Sequence, residues 1–210
     1  MKVIECFTSI DGEINAFHQG YITRFIRLFG CNLACPYCDT KYAMGENLNI
    51  TVTPDFVWKS VRDAGVKKVT ITGGEPLLQE KEVGNLIEVL YHQGIYTSIE
   101  TNGTIDIASL KWEAMVNSWI IDCKGPSSNA EGSTVWGNLE NSSSLDWIKH
   151  IISGHEDYVY ARKVVRKYPK KNHAFSPINM KIEPLIEAMI KDRLSKVLVN
   201  VQIHKLLNVK

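Results

Sequence analysis

Three of the five cysteines in this chain lie between Cys31 and Cys38, in the segment CNLACPYCDT, with the spacing C-x3-C-x2-C. Thiolates are soft ligands, suited to zinc or to an iron–sulfur cluster. A structural zinc closes its shell with four protein ligands, and none stands at a finger spacing here: Cys6 and His18 are the nearest candidates. Three thiolates leave one position open, as a cubane needs when one iron is to stay free for a small molecule. A zinc site, or thiols grouped by coincidence, is the simpler alternative. Cys6 and Cys123 each sit in an apolar run and are expected to be small core residues.

Three further segments end an apolar run in a polar turn. TITGGEPLL at 70–78 offers two glycines that let backbone approach a ligand, followed by Glu75 as an acceptor. Taken alone it is an ordinary turn. SIETNG at 98–103 places Glu100, Thr101 and Asn102 before a turn glycine, and suits a strand-to-helix connector equally well. DCKGPSS at 122–128 presents Lys124, which could meet a carboxylate or simply be solvated.

The elements that must position these groups are strands alternating with helices. Apolar, β-rich runs occur at 2–7, 21–29, 67–72, 95–100, 118–123, 157–165 and 196–202. Thr53-Pro54-Asp55 opens one helix, and Val83, Leu86, Ile87 and Leu90 stripe a second. Pro184 opens a third, with Leu185, Ile186, Met189 and Ile190 expected to face inward. Segment 125–145, rich in Gly, Ser and Asn, is expected to be a long surface loop. The pattern predicts an α/β fold with a largely parallel sheet, whose active site lies at the carboxyl ends of the strands. At 210 residues, the chain is expected to form a single domain over 1–210.

A net charge of +1 offers no field for a polyanion, so nucleic acid is not an expected partner. The start MKVIECFTSIDGE has no signal-peptide core, and no apolar run is long enough to span a membrane. A cytoplasmic location is expected, where thiols stay reduced and clustered cysteines point to metal or redox chemistry.

C-x3-C-x2-C with Tyr37 just before the last cysteine resembles the motif of the radical S-adenosylmethionine (SAM) family. SIDGE at 9–13, FIRLFGCNLACPYCDTKYAM at 25–44 and VNVQIHKLL at 199–207 together resemble its 7-carboxy-7-deazaguanine synthases, in the queuosine and deazapurine pathways. The resemblance implies a reduced, partly open (β/α) barrel. It also implies a lyase that converts 6-carboxy-5,6,7,8-tetrahydropterin to 7-carboxy-7-deazaguanine with loss of ammonia. Its cofactors would be a 4Fe-4S cluster, SAM and Mg²⁺. A 5′-deoxyadenosyl radical from SAM would take hydrogen from C6 of the pterin.

By the same resemblance Cys31, Cys35 and Cys38 hold the cluster and Thr40 binds magnesium, although Thr40 suits a helix N-cap too. Tyr37, Cys38, Asp39, Gly74, Glu75, Glu100, Lys124 and Ser176 would contact SAM. Ile10, Asp11, Gly12, Arg27, Thr72, Gln202 and His204 would contact the pterin. Arg27 would point inward while Arg24, three residues away and on the opposite strand face, meets solvent. Gln202 and His204, two apart on the last strand, would share a face. A flavodoxin or ferredoxin electron donor and a homodimer are also implied. The chain departs from the family at Ile14, where Gly is common, and in DCKGPSS, where relatives often have Ser-Pro-Lys. An activase that installs a glycyl radical on a protein shares the cluster and the Gly-Gly-Glu-Pro turn. It would not need Arg27, Thr40 or His204.

Overall fold

The computed structural model describes residues 1–17, 19–45, 50–178 and 180–209, so His18, the nearer in sequence of the two extra ligand candidates, lies outside the described residues. Strands β1 (Lys2–Ile10), β2 (Ile22–Leu28) and β3 (Ile50–Thr51) open the chain. Then come α1 (Pro54–Ala64), β4 (Lys68–Gly73), α2 (Glu80–His92), β5 (Tyr96–Thr101), β6 (Ser118–Asp122) and α3 (Trp136–Asn141). The rest is β7 (Trp147–Ile152), α4 (His155–Lys167), β8 (His173–Pro177), α5 (Ile182–Lys191), β9 (Leu198–Val199) and α6 (Ile203–Leu206).

The nine strands form one sheet in the order β3-β1-β2-β4-β5-β6-β7-β8-β9. From β2 to β9 every neighbouring pair is parallel, while β1 runs antiparallel to both β2 and β3. The sheet stays open between β3 and β9, as the partly open barrel requires. Among the described residues, no helix is long and apolar enough to cross a membrane.

Local chemistry accounts for the regular elements. Thr53 accepts the Phe56 N–H at 3.2 Å to cap α1, Pro54 takes the first position, and Gly65 ends the helix at φ +65°. Val83, Leu86, Ile87 and Leu90 are all fully buried against the sheet. Gly84 lets α2 approach Trp112, whose ring would lie 2.5 Å from a Cβ there.

Several expected elements differ. Residues 157–165 form helix rather than strand: Asp157, Tyr158, Ala161, Val164 and Val165 are buried at helical spacing, and this outweighs their β-branched and aromatic character. Acidic Glu156 and Asp157 open that helix and Arg166 and Lys167 close it, complementing its dipole. Segment 125–145 is a folded connection containing α3, not a long surface loop. There the buried Asn138 side chain bonds the backbone of Ile107 and Ile105. Helix α5 starts two residues before Pro184, and Ile186 and Ile190 are exposed while Leu185 and Met189 are buried. The run 196–202 pairs only at Leu198–Val199 before turning into α6. Strands β7 and β8 carry no clean apolar pattern, since Lys149, His150 and His173 interrupt them.

The loop after β1 folds around a buried ion pair. Lys68 Nζ lies 2.7 Å from Asp11 Oδ2 and donates to Asn15 Oδ1 at 3.0 Å. Asp11 also accepts from Thr70 Oγ1 at 2.9 Å, Asn15 Nδ2 at 3.1 Å and the Glu13 N–H at 3.1 Å. Ile14 is buried beside them. The Ile14-Asn15 departure is therefore built into the core. Removing one member of a buried pair strands the other's charge. Asp11→Ala should lower the unfolding free energy by roughly 3–5 kcal/mol, read from urea denaturation at pH 7; an unchanged midpoint would refute that anchoring role.

Candidate functional site

The carboxyl ends of the parallel strands surround a cavity of about 560 Å³. Strand β2 delivers the cysteine loop to its rim. Gly30 turns the chain at φ +93°, its N–H donating to Ala43 O and its carbonyl accepting the Glu75 N–H at 2.7 Å. A Cβ on Gly74 would lie 1.8 Å from Gly30 O. The Gly-Gly-Glu-Pro turn and the cysteine loop thus meet backbone to backbone, and only glycine fits at 74.

Cys31, Cys35 and Cys38 are free thiols that all line the cavity. Among the described residues, no group of three His, Cys, Asp or Glu side chains is drawn together as a preformed metal site. The donor set nonetheless suits a 4Fe-4S cluster: three soft ligands on one loop, with N–H groups of Leu33 and Asn102 aimed at Cys31 Sγ from 3.4 and 3.7 Å. Burial raises the Cys35 pKa, with Lys124 opposing that shift. Cys6 packs against the core and Cys123 is buried within it, as expected of small core residues.

Three sequence-assigned contacts lie outside the cavity lining. Glu75 is fully buried, accepting from the Leu77 N–H at 3.0 Å, Thr101 Oγ1 at 2.9 Å and the Asn102 N–H at 2.7 Å. Its carboxylate ties this turn to the end of β5 and does not line the cavity. Asp11 is tied to Lys68, while its neighbours Ile10 and Gly12 do line the cavity. Ser176 is buried beneath, accepting from Asn200 Nδ2 at 2.8 Å.

The other assigned residues converge. Arg27 lines the cavity and is held by Glu5 Oε1 at 3.0 Å, by Thr40 Oγ1 at 3.2 Å and by the rings of Phe7 and Tyr42. Arg24, on the other face, bonds Thr8. Thr40 precedes a 3-10 turn at Lys41–Met44, but its hydroxyl donates to Asp39 Oδ1 at 2.9 Å and leaves the cap unmade. Asp39 in turn meets Lys205 Nζ at 3.1 Å; burial disfavours its charge, but that lysine wins and lowers its pKa. Lys124 pairs with Asp122 at 2.6 Å and sits over the Tyr37 ring. Burial strongly raises the Tyr37 pKa.

Glu100 and Thr72 form one wall, joined by a 2.8 Å hydrogen bond. Sequence reasoning missed the partner of this wall, Lys149, whose Nζ is 3.5 Å from Glu13 Oε2. Burial opposes the Lys149 charge, but Glu13, Glu100 and Asp122 outweigh it and raise its pKa. Lys149, beside His150 within the run WIKHII, was the available signal. Glu13 accepts from Asn200 Nδ2 at 2.6 Å and from Gln202 Nε2. Gln202 and His204 reach the cavity from the start of α6, not from one strand face. His204 packs so closely that a Cβ on Gly12 would lie 1.9 Å from its Nδ1.

A family model described as the radical SAM superfamily matches residues 25–135. A 7-carboxy-7-deazaguanine synthase from Clostridium acetobutylicum is 34% identical, covering 98% of this chain and 95% of the relative. One from Methanospirillum hungatei is 38% identical, covering 98% and 84%. The crystal structure of QueE from Escherichia coli superposes with a TM-score of 0.76 at 21% identity, covering 93% of this chain and 92% of that one. Streptococcus suis SuiB bound to S-adenosylmethionine gives a TM-score of 0.54 at 14% identity, covering 84% of this chain and 46% of that one.

Burial raises the Glu100 pKa from 4.5 to about 7, with Lys149 opposing and Glu13 and Asp11 reinforcing the shift, and the Thr72 hydrogen bond opposing it. The folded chain thus holds this proton more tightly than the unfolded one. The stability it contributes is complete below about pH 4.5 and is lost as pH rises through about 7. Against Glu100→Gln, the wild-type unfolding free energy should fall by up to about 1.4 kcal/mol per pH unit across that window. Parallel curves in urea titrations would show that Glu100 ionises at its ordinary value.

Proposed function

The chain belongs to the radical SAM superfamily and, within it, to the 7-carboxy-7-deazaguanine synthases, and from that premise we propose that it converts 6-carboxy-5,6,7,8-tetrahydropterin to 7-carboxy-7-deazaguanine with loss of ammonia. One observation carries the reading: three cysteines share a cavity with Arg27 and the Glu13–Lys149 wall. Its size and charged lining suit small polar molecules. The full-length relatives are synthases, which disfavours the activase; the family match disfavours the zinc module.

When bound, the cluster and SAM supply one-electron reduction and hydrogen abstraction. The chain's own residues bind, orient and shield. Arg27, with its fork braced by Glu5 and Thr40, is placed to meet a substrate carboxylate. Lys124, Tyr37, Asp39 and Gly74 line one cavity with Ile10, Gly12, Thr72, Gln202 and His204, which supports reading the first four as SAM contacts and the rest as pterin contacts by the family resemblance. Lys149 keeps its positive charge beside Glu13 and Glu100. Glu100, titrating near 7, can hold or release a proton at this wall.

The Thr40 hydroxyl gives its hydrogen to Asp39 and one lone pair to Arg27, so a lone pair remains for magnesium, whose preference for oxygen ligands supports that site. We read 1–210 as one radical SAM domain, with the single sheet in support. A flavodoxin or ferredoxin donor, a homodimer and a cytoplasmic location complete the proposal, resting on the family resemblance.

Iron- and sulfide-reconstituted protein should form 7-carboxy-7-deazaguanine from the pterin under anaerobic conditions with reductant, SAM and Mg²⁺, detected by mass spectrometry. SAM cleavage without that product would move the substrate elsewhere. Cys35→Ala should lose both cluster and turnover; full cluster retention in that variant would sink the ligand assignment. Thr40→Ala should retain the cluster yet respond more weakly to Mg²⁺, and an unaltered magnesium titration would remove Thr40 from the metal site.

A further inference from the structure

Asn102 belongs to the ETNG turn after β5, and the proposed function above gives it no task. Its backbone N–H is fixed by Glu75 Oε2 at 2.7 Å. Its side-chain oxygen accepts from the Thr104 N–H at 3.0 Å and from Thr104 Oγ1 at 2.7 Å. A backbone N–H can only donate, so the amide oxygen must face Thr104 and the NH₂ must face away from it. Nδ2 lies 2.8 Å from Asn32 Oδ1 and 3.7 Å from Cys31 Sγ, giving its two hydrogens two acceptors. Asn32 closes the circuit by donating to Thr104 Oγ1 at 2.8 Å. Every donor and acceptor in this ring of three side chains agrees on one direction.

We propose that Asn102 is a positioning residue that donates N–H to the Cys31 sulfur and thereby raises the reduction potential of the cluster held there. The inference rests on the cluster reading of the three cysteines. Reduction adds negative charge that spreads onto the sulfur ligands, and an N–H aimed at sulfur stabilises the reduced form more than the oxidised. The Leu33 N–H at 3.4 Å acts on the same sulfur. Because Glu75 and Thr104 lock the amide before any cluster arrives, the donor needs no reorganisation on reduction.

Asn102→Ala removes the amide, and Asn102→Asp keeps the acceptor for Thr104 while placing an anionic oxygen toward Cys31. Each variant and the wild type would be reconstituted, assayed for iron and sulfide, and titrated by EPR against a mediated potential without SAM. Both variants should be harder to reduce, Asp more so, with the reduced-to-oxidised ratio at fixed potential lowered about tenfold, or about 59 mV for a one-electron couple. If Ala fails to fold, the near-isosteric Asp variant still decides. Fully loaded variants with the wild-type potential would overturn the proposal. So would a loss of SAM affinity at unchanged potential, which would make Asn102 a SAM contact. A wild-type chain that takes up no cluster would fail at the cysteine reading itself, and the inference with it.

Discussion

The buried carboxylate of Glu75 holds the cofactor end of this molecule together. Burying a carboxylate is costly unless its oxygens find donors, and Glu75 finds three, from Leu77 in its own turn and from Thr101 and Asn102 after β5. Its backbone N–H, meanwhile, donates to Gly30 at the entry to the cysteine loop. One residue therefore fixes the ends of β2, β4 and β5 relative to one another. A ligand side chain facing the cavity could not do this. The acidic residue of the Gly-Gly-Glu-Pro turn makes the rim rigid, and the glycine before it lets the two loops touch.

Charge inside the cavity is balanced in pairs. Lys124 sits with Asp122, Lys149 with Glu13, and Arg27 with Glu5, each at the end or inner face of a strand. Pairing keeps the cations charged despite burial, as the raised pKa values of both lysines require. Glu100 lacks so close a cation and relies on Thr72, so desolvation governs its titration. An arrangement of fixed cations with one group poised near neutrality can grip an anionic ligand and still exchange a proton.

Sequence alone made the cofactor end legible because its motifs are local. Each is a short run ending a strand whose apolar pattern is plain, from Phe25 to Lys124. Where periodicity was ambiguous, the reading failed for physical reasons. The α4 sequence is rich in Val and Tyr, yet tertiary packing selects helix. Strand β7 was hidden because Lys149 and His150 break its apolar run, and each is buried against a partner from another segment, Glu13 for Lys149 and His173 for His150. The clamp role of Glu75 and the ion pair of Asp11 were illegible for the same reason: side-chain direction is settled by neighbours remote in sequence.

The superfamily match covers residues 25–135, and the cavity lining draws on both sides of that boundary. Within 25–135 lie the cysteines, Arg27, Thr40, Thr72, Gly74, Glu100 and Lys124. Outside it lie Ile10, Gly12, Glu13, Lys149, Gln202 and His204, brought in by β1, β7 and the segment leading into α6. The two ends of the chain are tied there by Gln19 to Asn200 at 2.8 Å and by Asn200 to Glu13 at 2.6 Å. A contiguous stretch thus builds the cysteine loop and its surroundings, Arg27 and Thr72 included. The remainder draws on contacts across more than 180 residues. Such contacts close the cavity from the chain's two ends, so its charged wall forms only when the whole chain is folded.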